Sequence, residues 1–551
     1  MSKLLAVTYG KWVEVKEATR SVRGRYIGTT KDDHNFSVDY EGLSAWWKKD
    51  DERYDSEQLI EVYDYDVYSA LKSAGFILKD MARIQREVDV IIRESIYVPN
   101  SVGRLVREKL VRKNRFVSPR FDAARKFGRI GNWDGYEKLY SFRNKYMVIP
   151  VGKLKETVNI LKKEGFNCRI RDERNLFSEL DFTPNFDLRD YQMEIAERAI
   201  SRLRAENCCV IVSPAGSGKT EMGIYLIAHF RQPTLILVHT LDLQEQWIER
   251  IESRLGYEAG GISGQGIDIK PITVALVQSM QKMLPEVEDK FGMLILDECQ
   301  HTPAETFKRV VRNINAKYKV GLSATPERVD GLHPYMFAEL GNRIVGKSYT
   351  WLVKHKYLMP LTVKVIKTGR LYYGDYRTCV SLLTKDRGRD RIIAEIVRRE
   401  AADNHKILIL SERKMHCRRL EKMLKKMGIQ TRLLISEIRK KDRIKITDDF
   451  RKGNVQCLVA TQLADEGLDL PILDRTIFAF PSRAWTRVYQ RCGRSMRMHS
   501  EKKDAVVYDL LDIGRKRGYE RKDYFKEHFQ IRKRYVYDAE EAIRLEKPKS
   551  L

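Results

Sequence analysis

The chain of 551 residues has little of what marks secreted, metal-stapled or membrane-spanning proteins. Its eight cysteines, at 168, 208, 209, 299, 379, 417, 457 and 492, form no CxxC pair, and most stand inside apolar runs. That pattern argues against a zinc site and a disulfide framework and predicts reduced core thiols, as in a cytosolic compartment. The opening MSKLLAVTYGKW has no apolar core of signal length, and no apolar stretch approaches the ~20 residues needed to cross a bilayer. A cytoplasmic protein without a membrane partner is the expectation. Tandem repeats and low-complexity tracts are also missing. Acidic residues are in deficit, 76 against 102 Lys and Arg, for a net charge of +26. Such an excess predicts a polyanionic partner, nucleic acid before an anionic membrane. What is present, 43% hydrophobic and 32% charged residues, describes a soluble globular protein of about three or four domains.

Residues 1–95 read as an accessory domain of unassigned role. Stretches 4–9, 12–15 and 36–40 have the alternation of short strands, and 67–88 the spacing of a helix. Trp46-Trp47 is read as small-domain core. From 96 to 184 the chain turns basic: Arg104, Arg107, Lys109, Arg112, Lys113, Arg115, Arg120, Arg125, Lys126 and Arg129 are interleaved with Phe116, Phe121 and Phe127. Cations for phosphate and rings for stacking make a nucleic-acid surface, with Arg112, Lys113 and Arg115 as candidate contacts; a solvated charged face over a Phe core has the same composition. Trp133-Asp134-Gly135-Tyr136, a helix over 151–164 closed by Gly165, a strand over 167–170 and Arg171-Asp172-Glu173-Arg174 complete the region.

The stretch VIVSPAGSGKTE at 210–221 organises the remainder. An apolar strand runs into Ser213-Pro214-Ala215-Gly216-Ser217-Gly218-Lys219-Thr220, and a helical pattern follows. Gly216 and Gly218 let successive backbone N–H groups converge on phosphate oxygens, and the helix dipole adds to them. In this pattern Lys219 reaches the β- and γ-phosphates and the Thr220 hydroxyl holds Mg²⁺; Ser213 stands where the simple motif has its first glycine. About 80 residues on, Leu294-Ile295-Leu296 ends in Asp297-Glu298-Cys299-Gln300. Asp297 is the candidate Mg²⁺ carboxylate and Glu298 the base that orients the attacking water. Ser323 and Thr325, about 25 residues further, supply a hydroxyl pair that can relay between nucleotide and strand sites. Upstream, Arg189 and Gln192 precede an amphipathic helix, and Gln192 can hydrogen-bond two edges of adenine. Near the C-terminus, Gln490-Arg491-Cys492-Gly493-Arg494-Ser495-Met496-Arg497 puts Arg494 and Arg497 at i and i+3 on one helical face, where two guanidiniums can stabilise charge developing on a γ-phosphate. Ahead of it, Thr461, Gly467 and Asp469 follow another strand; Asp469 is placed for a ribose and Thr461 for a strand phosphate.

Between 187 and 510 apolar strand-like runs alternate with amphipathic helices in two sets, which predicts two α/β domains of parallel sheet with helices on both faces. Together SPAGSGKT, DECQ, SATP, ATQLADEGLDLP and QRCGRSMR resemble, in order, the motif set of superfamily 2 helicases, closest to the XPB, UvsW and RadD-like DExH branch. The run from FGRIGNWDGYEKLY to CRIRDER resembles the small N-terminal domain of UvsW-type phage helicases. The resemblance implies two tandem RecA-like motor domains, 185–360 and 361–515, preceded by small α+β accessory domains, 1–95 and 96–184, with a basic helical tail over 516–551. It implies ATP and Mg²⁺ as cofactors; Lys219, Glu298, Gln490, Arg494 and Arg497 as catalytic; Gln300, Ser323 and Thr325 as coupling residues; and Thr240, Gln278, Ser279 and Thr461 as strand contacts. Gln300 departs from the branch, which has His at that position, but Gln still hydrogen-bonds both ways.

The function implied is an ATP-dependent DNA helicase or branch-migrating translocase, moving 3′ to 5′ by family analogy, acting on single-stranded, duplex or branched DNA and expected to be a monomer; a phage source would put it in the host cytoplasm. Two alternatives stand beside it: an RNA helicase or transcription-release ATPase, and the motor subunit of a nuclease or restriction system. No convincing nuclease motif of the PD…(D/E)xK kind is present in the N-terminal part.

Overall fold

Buried parallel strands need apolar side chains on both faces, and the runs that meet this condition become the sheet centres here. The computed structural model describes residues 4–8, 11–20, 25–30, 35–39, 43–44, 58–62, 78–80 and 86–550, apart from 122–124, 126–132, 303, 328–329, 462–469 and 517. The chain divides into two units: residues 1–176 with 307–317 and 334–341, and residues 177–306 with 318–333 and 342–551.

The first unit carries a seven-stranded sheet from the first eighty residues, a two-stranded ribbon and a five-stranded sheet. The strands Leu4–Thr8, Lys11–Arg20 and Asn35–Asp39 fall where alternation predicts them. The helix expected over 67–88 is corrected in part: Leu78–Asp80 is a strand, and Arg86–Ile92 is another whose Val88, Val90 and Ile92 point alternately into a core. The rest of that stretch lies outside the described residues. In the five-stranded sheet, Arg86–Ile92 pairs in parallel with Phe166–Asp172, and the helices Arg104–Lys113 and Leu154–Lys163 pack on it through Val106, Leu110 and Leu161. The strand's end is pinned by a fork: Arg174 Nε and Nη2 donate to Asp172 Oδ1 and Oδ2 at 2.8 and 2.7 Å, and the Lys317 ammonium binds the same carboxylate. Stretches 307–317 and 334–341 add a buried pair, Arg312 Nε to Glu339 Oε1 at 2.6 Å, with Arg312 also donating to the Leu139 carbonyl.

The second unit contains two sheets with the architecture expected of tandem motor domains. In the first, eight strands run with Cys208–Val212 between Tyr318–Ser323 and Arg343–Val345, followed outward by Met293–Leu296, Thr234–Val238 and Ile272–Leu276. All of these pairs are parallel, so the C-terminal ends of the central strands share one edge, where ligands sit in open α/β sheets. The second sheet has Ile407–Leu410, Cys457–Ala460 and Arg475–Phe478 at its centre.

The basic helical tail is also corrected. Residues beyond 515 contribute the strand Tyr519–Asp523 against Ala505–Lys516, and Ile543–Leu545 and Lys549–Ser550 against Leu361–Tyr373, with the helix Tyr524–Arg532 and its π-helical continuation Lys533–Tyr537 between. Phe525, Phe529, Val536, Tyr537 and Ile543 are buried there. Arg532 is a core residue: Nε and Nη2 bind both oxygens of Asp509 at 2.9 Å, and Nη1 donates to the Ser482 carbonyl at 2.7 Å.

Candidate active site

The strand Cys208–Val212 gives way to a loop at Ser213, and the helix Lys219–Phe230 begins six residues later. Between them Gly216 (φ 83°) and Gly218 (φ 82°) take the left-handed conformation that turns backbone N–H groups inward. A Cβ on Gly218 would be strained at this φ and would lie 2.1 Å from Gln192 Nε2, so a larger residue would also displace that amide. The Oγ atoms of Ser213 and Ser217 are buried without a hydrogen-bond partner. Buried hydroxyls left open beside a nest of N–H groups suit a phosphate chain. Lys219 Nζ donates to the Ser213 carbonyl at 3.3 Å and lies 3.8 Å from Glu298 Oε1.

The strand Met293–Leu296 delivers the two carboxylates, and both turn toward the loop. Glu298 sits at φ 46°, a conformation costing about 1–3 kcal/mol in a non-glycine residue, and it aims the side chain at Lys219. Burial, and then the neighbouring Glu298, push the Asp297 carboxyl up. Burial pushes Glu298 up too, but Lys219, the Gln300 amide, His301 and Arg494 outweigh it and hold it below the ordinary carboxylate value. The two neighbouring carboxyls are thus shifted in opposite directions. Trp247 Nε1 donates to Asp297 Oδ2 at 2.8 Å, a partner that motif reading did not assign.

The three expected coupling residues form one chain of hydrogen bonds. Gln300 Nε2 donates to Glu298 Oε2 (2.7 Å), Ser323 Oγ donates to Gln300 Oε1 (2.6 Å), and Thr325 N donates to Ser323 Oγ (3.1 Å). Gln300 therefore bonds in both directions, as its chemistry allows.

The second motor domain closes the cleft through the helix Trp485–Ser495. Gln490 Nε2 donates to Glu298 Oε2 at 3.1 Å, so this carboxylate is reached from both motors. Arg494 and Arg497 line the same cleft of about 400 Å³ as Gly216, Gly218, Lys219, Thr220, Asp297 and Glu298. They do not share a helical face as the i, i+3 spacing predicts. The helix ends at Ser495, and Arg497 follows it, bridged to Leu358. Lys502, also unassigned by sequence, donates to the carbonyls of Ser495 and Arg497 at 2.7 Å and caps this helix end.

Other expected contacts are engaged differently. Gln192 lines the cleft, but its Nε2 donates to the Ser217 carbonyl (2.9 Å) and its Oε1 accepts from Arg189 N (2.9 Å), so it braces the phosphate loop. Arg189 lies over the Tyr357 ring at 5.4 Å and also lines the cleft. Thr240 caps the helix Leu241–Leu255 by accepting from Leu243 N, and Ser279 precedes the helix Met280–Val287. Gln278 donates to the His239 carbonyl, and Thr461 is buried after the strand Cys457–Ala460. Gly467 and Asp469 lie outside the described residues. In the first unit Arg112 and Lys113 are exposed at a helix end, whereas Arg115 stacks on the Tyr136 ring at 4.2 Å. Phe121 packs edge-on against Trp133 and Phe116 against Tyr335, so these two rings serve packing within the unit.

Residues 185–328 match the family model described as Type III restriction enzyme, res subunit, and residues 388–499 match the Helicase conserved C-terminal domain. The chain is a superfamily 2 helicase-type motor of the DExx class, related to XPB. It is 27% identical to the DNA 3′-5′ translocase XPB2 of Sulfurisphaera tokodaii over 64% of this chain and 89% of that one. The ATP-dependent Type ISP restriction-modification enzyme LlaBIII bound to DNA superimposes with a TM-score of 0.51 at 13% identity, over 72% of this chain and 34% of that chain, a likeness of fold alone. T4 UvsW aligns over 84% of this chain and 99% of that one, but at a TM-score of 0.37 and 18% identity it lends the fold no support. As a member of this superfamily the motor hydrolyses ATP and works on nucleic acid. Among the described residues, no helix is long and apolar enough to cross a membrane.

Proposed function

We propose that the chain is an ATP-driven DNA-translocating motor of the kind that serves restriction systems as their motor subunit. The observation that carries this reading is Glu298, bound by Lys219 and Gln300 from one motor domain and by Gln490 from the other. A carboxylate shared in this way makes hydrolysis depend on the closure of the two domains, which is what a stepping motor requires. In this reading the phosphate loop and Lys219 hold the phosphates, and Glu298 takes the proton of the attacking water. Arg494 and Arg497 stabilise charge on the γ-phosphate. Thr220 and Asp297 would hold Mg²⁺, which supplies charge neutralisation on the phosphates. The restriction-type model over the first motor domain favours this reading, and the named relative XPB2, a DNA translocase, agrees on the substrate.

Branch migration of junction DNA is the second reading, favoured by the XPB kinship. One experiment separates them. A triplex-forming oligonucleotide on a long linear duplex reports translocation without strand separation, and a four-way junction reports branch migration. ATP-dependent triplex displacement with an inert junction supports the restriction-type motor; junction remodelling without triplex displacement supports the second reading. Lys219→Ala is expected to abolish either activity, and a Lys219→Ala protein that still moves DNA refutes both.

A further inference from the structure

Trp247 lies in the helix Leu241–Leu255, is 1% exposed, and gives its indole N–H to Asp297 Oδ2 at 2.8 Å. The other oxygen, Oδ1, accepts the backbone N–H of Glu298 at 2.9 Å. Two donors therefore fix the plane of a carboxylate that lines the nucleotide cleft. To make this contact the ring must cross the phosphate-loop helix closely, and it does so at Gly223. A Cβ there would stand 2.8 Å from the ring's Cη2. Glycine inside a helix is about 1 kcal/mol less favourable than alanine, so one turn past Lys219 the chain weakens its own helix and admits an indole. Phenylalanine would fill most of that space but has no N–H to donate.

We propose that Trp247 is a positioning residue: admitted by Gly223, its indole N–H orients Asp297 toward the divalent cation of the bound nucleotide. The inference rests on the ATPase reading of the cleft and adds to it a residue that touches neither nucleotide nor metal. Donors that hold a metal-binding carboxylate from behind change metal affinity about 10–100-fold when removed.

The test is binding of fluorescent ADP to the full chain, by anisotropy, in EDTA and across a Mg²⁺ titration. Trp247→Phe leaves the affinity in EDTA unchanged and raises half-saturating Mg²⁺ roughly 10-fold or more. Gly223→Ala, which pushes the ring off its seat, gives the same signature and serves where Trp247→Phe does not fold. In an Asp297→Asn background, Trp247→Phe changes nothing further. Equal loss with and without Mg²⁺ would mean that the indole is only packing, and an unaltered Mg²⁺ titration would mean that the bond orients nothing; either overturns the inference. A wild-type protein that binds no nucleotide overturns the ATPase reading itself, an outcome distinct from a normal wild type with an identical Trp247→Phe titration.

Discussion

Removing the Gln300 side chain isolates the step at which the nucleotide pocket speaks to the rest of the motor. Gln300 is 6% exposed; it donates to Glu298 at 2.7 Å and accepts from Ser323, which is fully buried, at 2.6 Å. Gln300→Ala deletes a hydrogen bond to an ionised carboxylate, worth about 1.5–3 kcal/mol, and strands a buried hydroxyl. Taken fully on the hydrolytic barrier, the first term alone is a factor of roughly 10–150 in rate. Glu298 keeps Gln490 at 3.1 Å and Lys219 at 3.8 Å, so the lower end is expected. The assay is steady-state ATP hydrolysis with and without DNA. The expected outcome is an unchanged KM for ATP, a kcat reduced about tenfold, and loss of most of the DNA stimulation because Ser323 and Thr325 are no longer tied to the carboxylate. Gln300→His, which keeps one donor and one acceptor on the ring, restores part of both. A Gln300→Ala enzyme with wild-type kcat and wild-type stimulation would refute the relay.

Three further outcomes concern stability. Burial pushes the Asp172 carboxyl up, but Arg174 and Lys317 outweigh it and hold it well below the ordinary carboxylate range. A carboxylate depressed by folding stabilises fully above its unfolded value of about 3.9 and loses that contribution as pH falls through its folded value. The difference in urea midpoint between wild type and Asp172→Asn should therefore be largest at neutral pH and shrink progressively as pH falls below about 4; a pH-independent gap contradicts the fork's role. Arg532→Met leaves Asp509 without its buried guanidinium partner and should cost about 3–5 kcal/mol, read as a lowered melting temperature. A chain ending after Lys516 also loses buried Phe525, Phe529 and Ile543 and should not give a folded second motor; a soluble, cooperatively melting truncation would show that the tail is dispensable.

The parts of this molecule that were legible in sequence share a physical cause. Parallel central strands are apolar on both faces, so Cys208–Val212 and Met293–Leu296 stand out as runs, and the chemistry at their C-terminal ends comes from residues adjacent in the chain. The illegible parts depend on partners far along the chain. Val88, Val90 and Ile92 alternate with period two, but a helical window ending at 88 does not reach the rest of that strand. Arg532 sits in a run of cations that reads as surface, and only the fold brings Asp509 to it. The bond from Trp247 to Asp297 spans 50 residues, and its one local signal is Gly223, a glycine inside an otherwise good helix. Basic residues show the same division. Lys109 binds Glu164, Arg174 binds Asp172 and Arg389 binds Asp512, all within the fold, whereas Arg494 and Arg497 line the same cleft as Lys219 and Glu298. Density of charge does not distinguish these two kinds of cation. Position does, because Arg494 and Arg497 stand at the end of a helix whose Gln490 already touches Glu298.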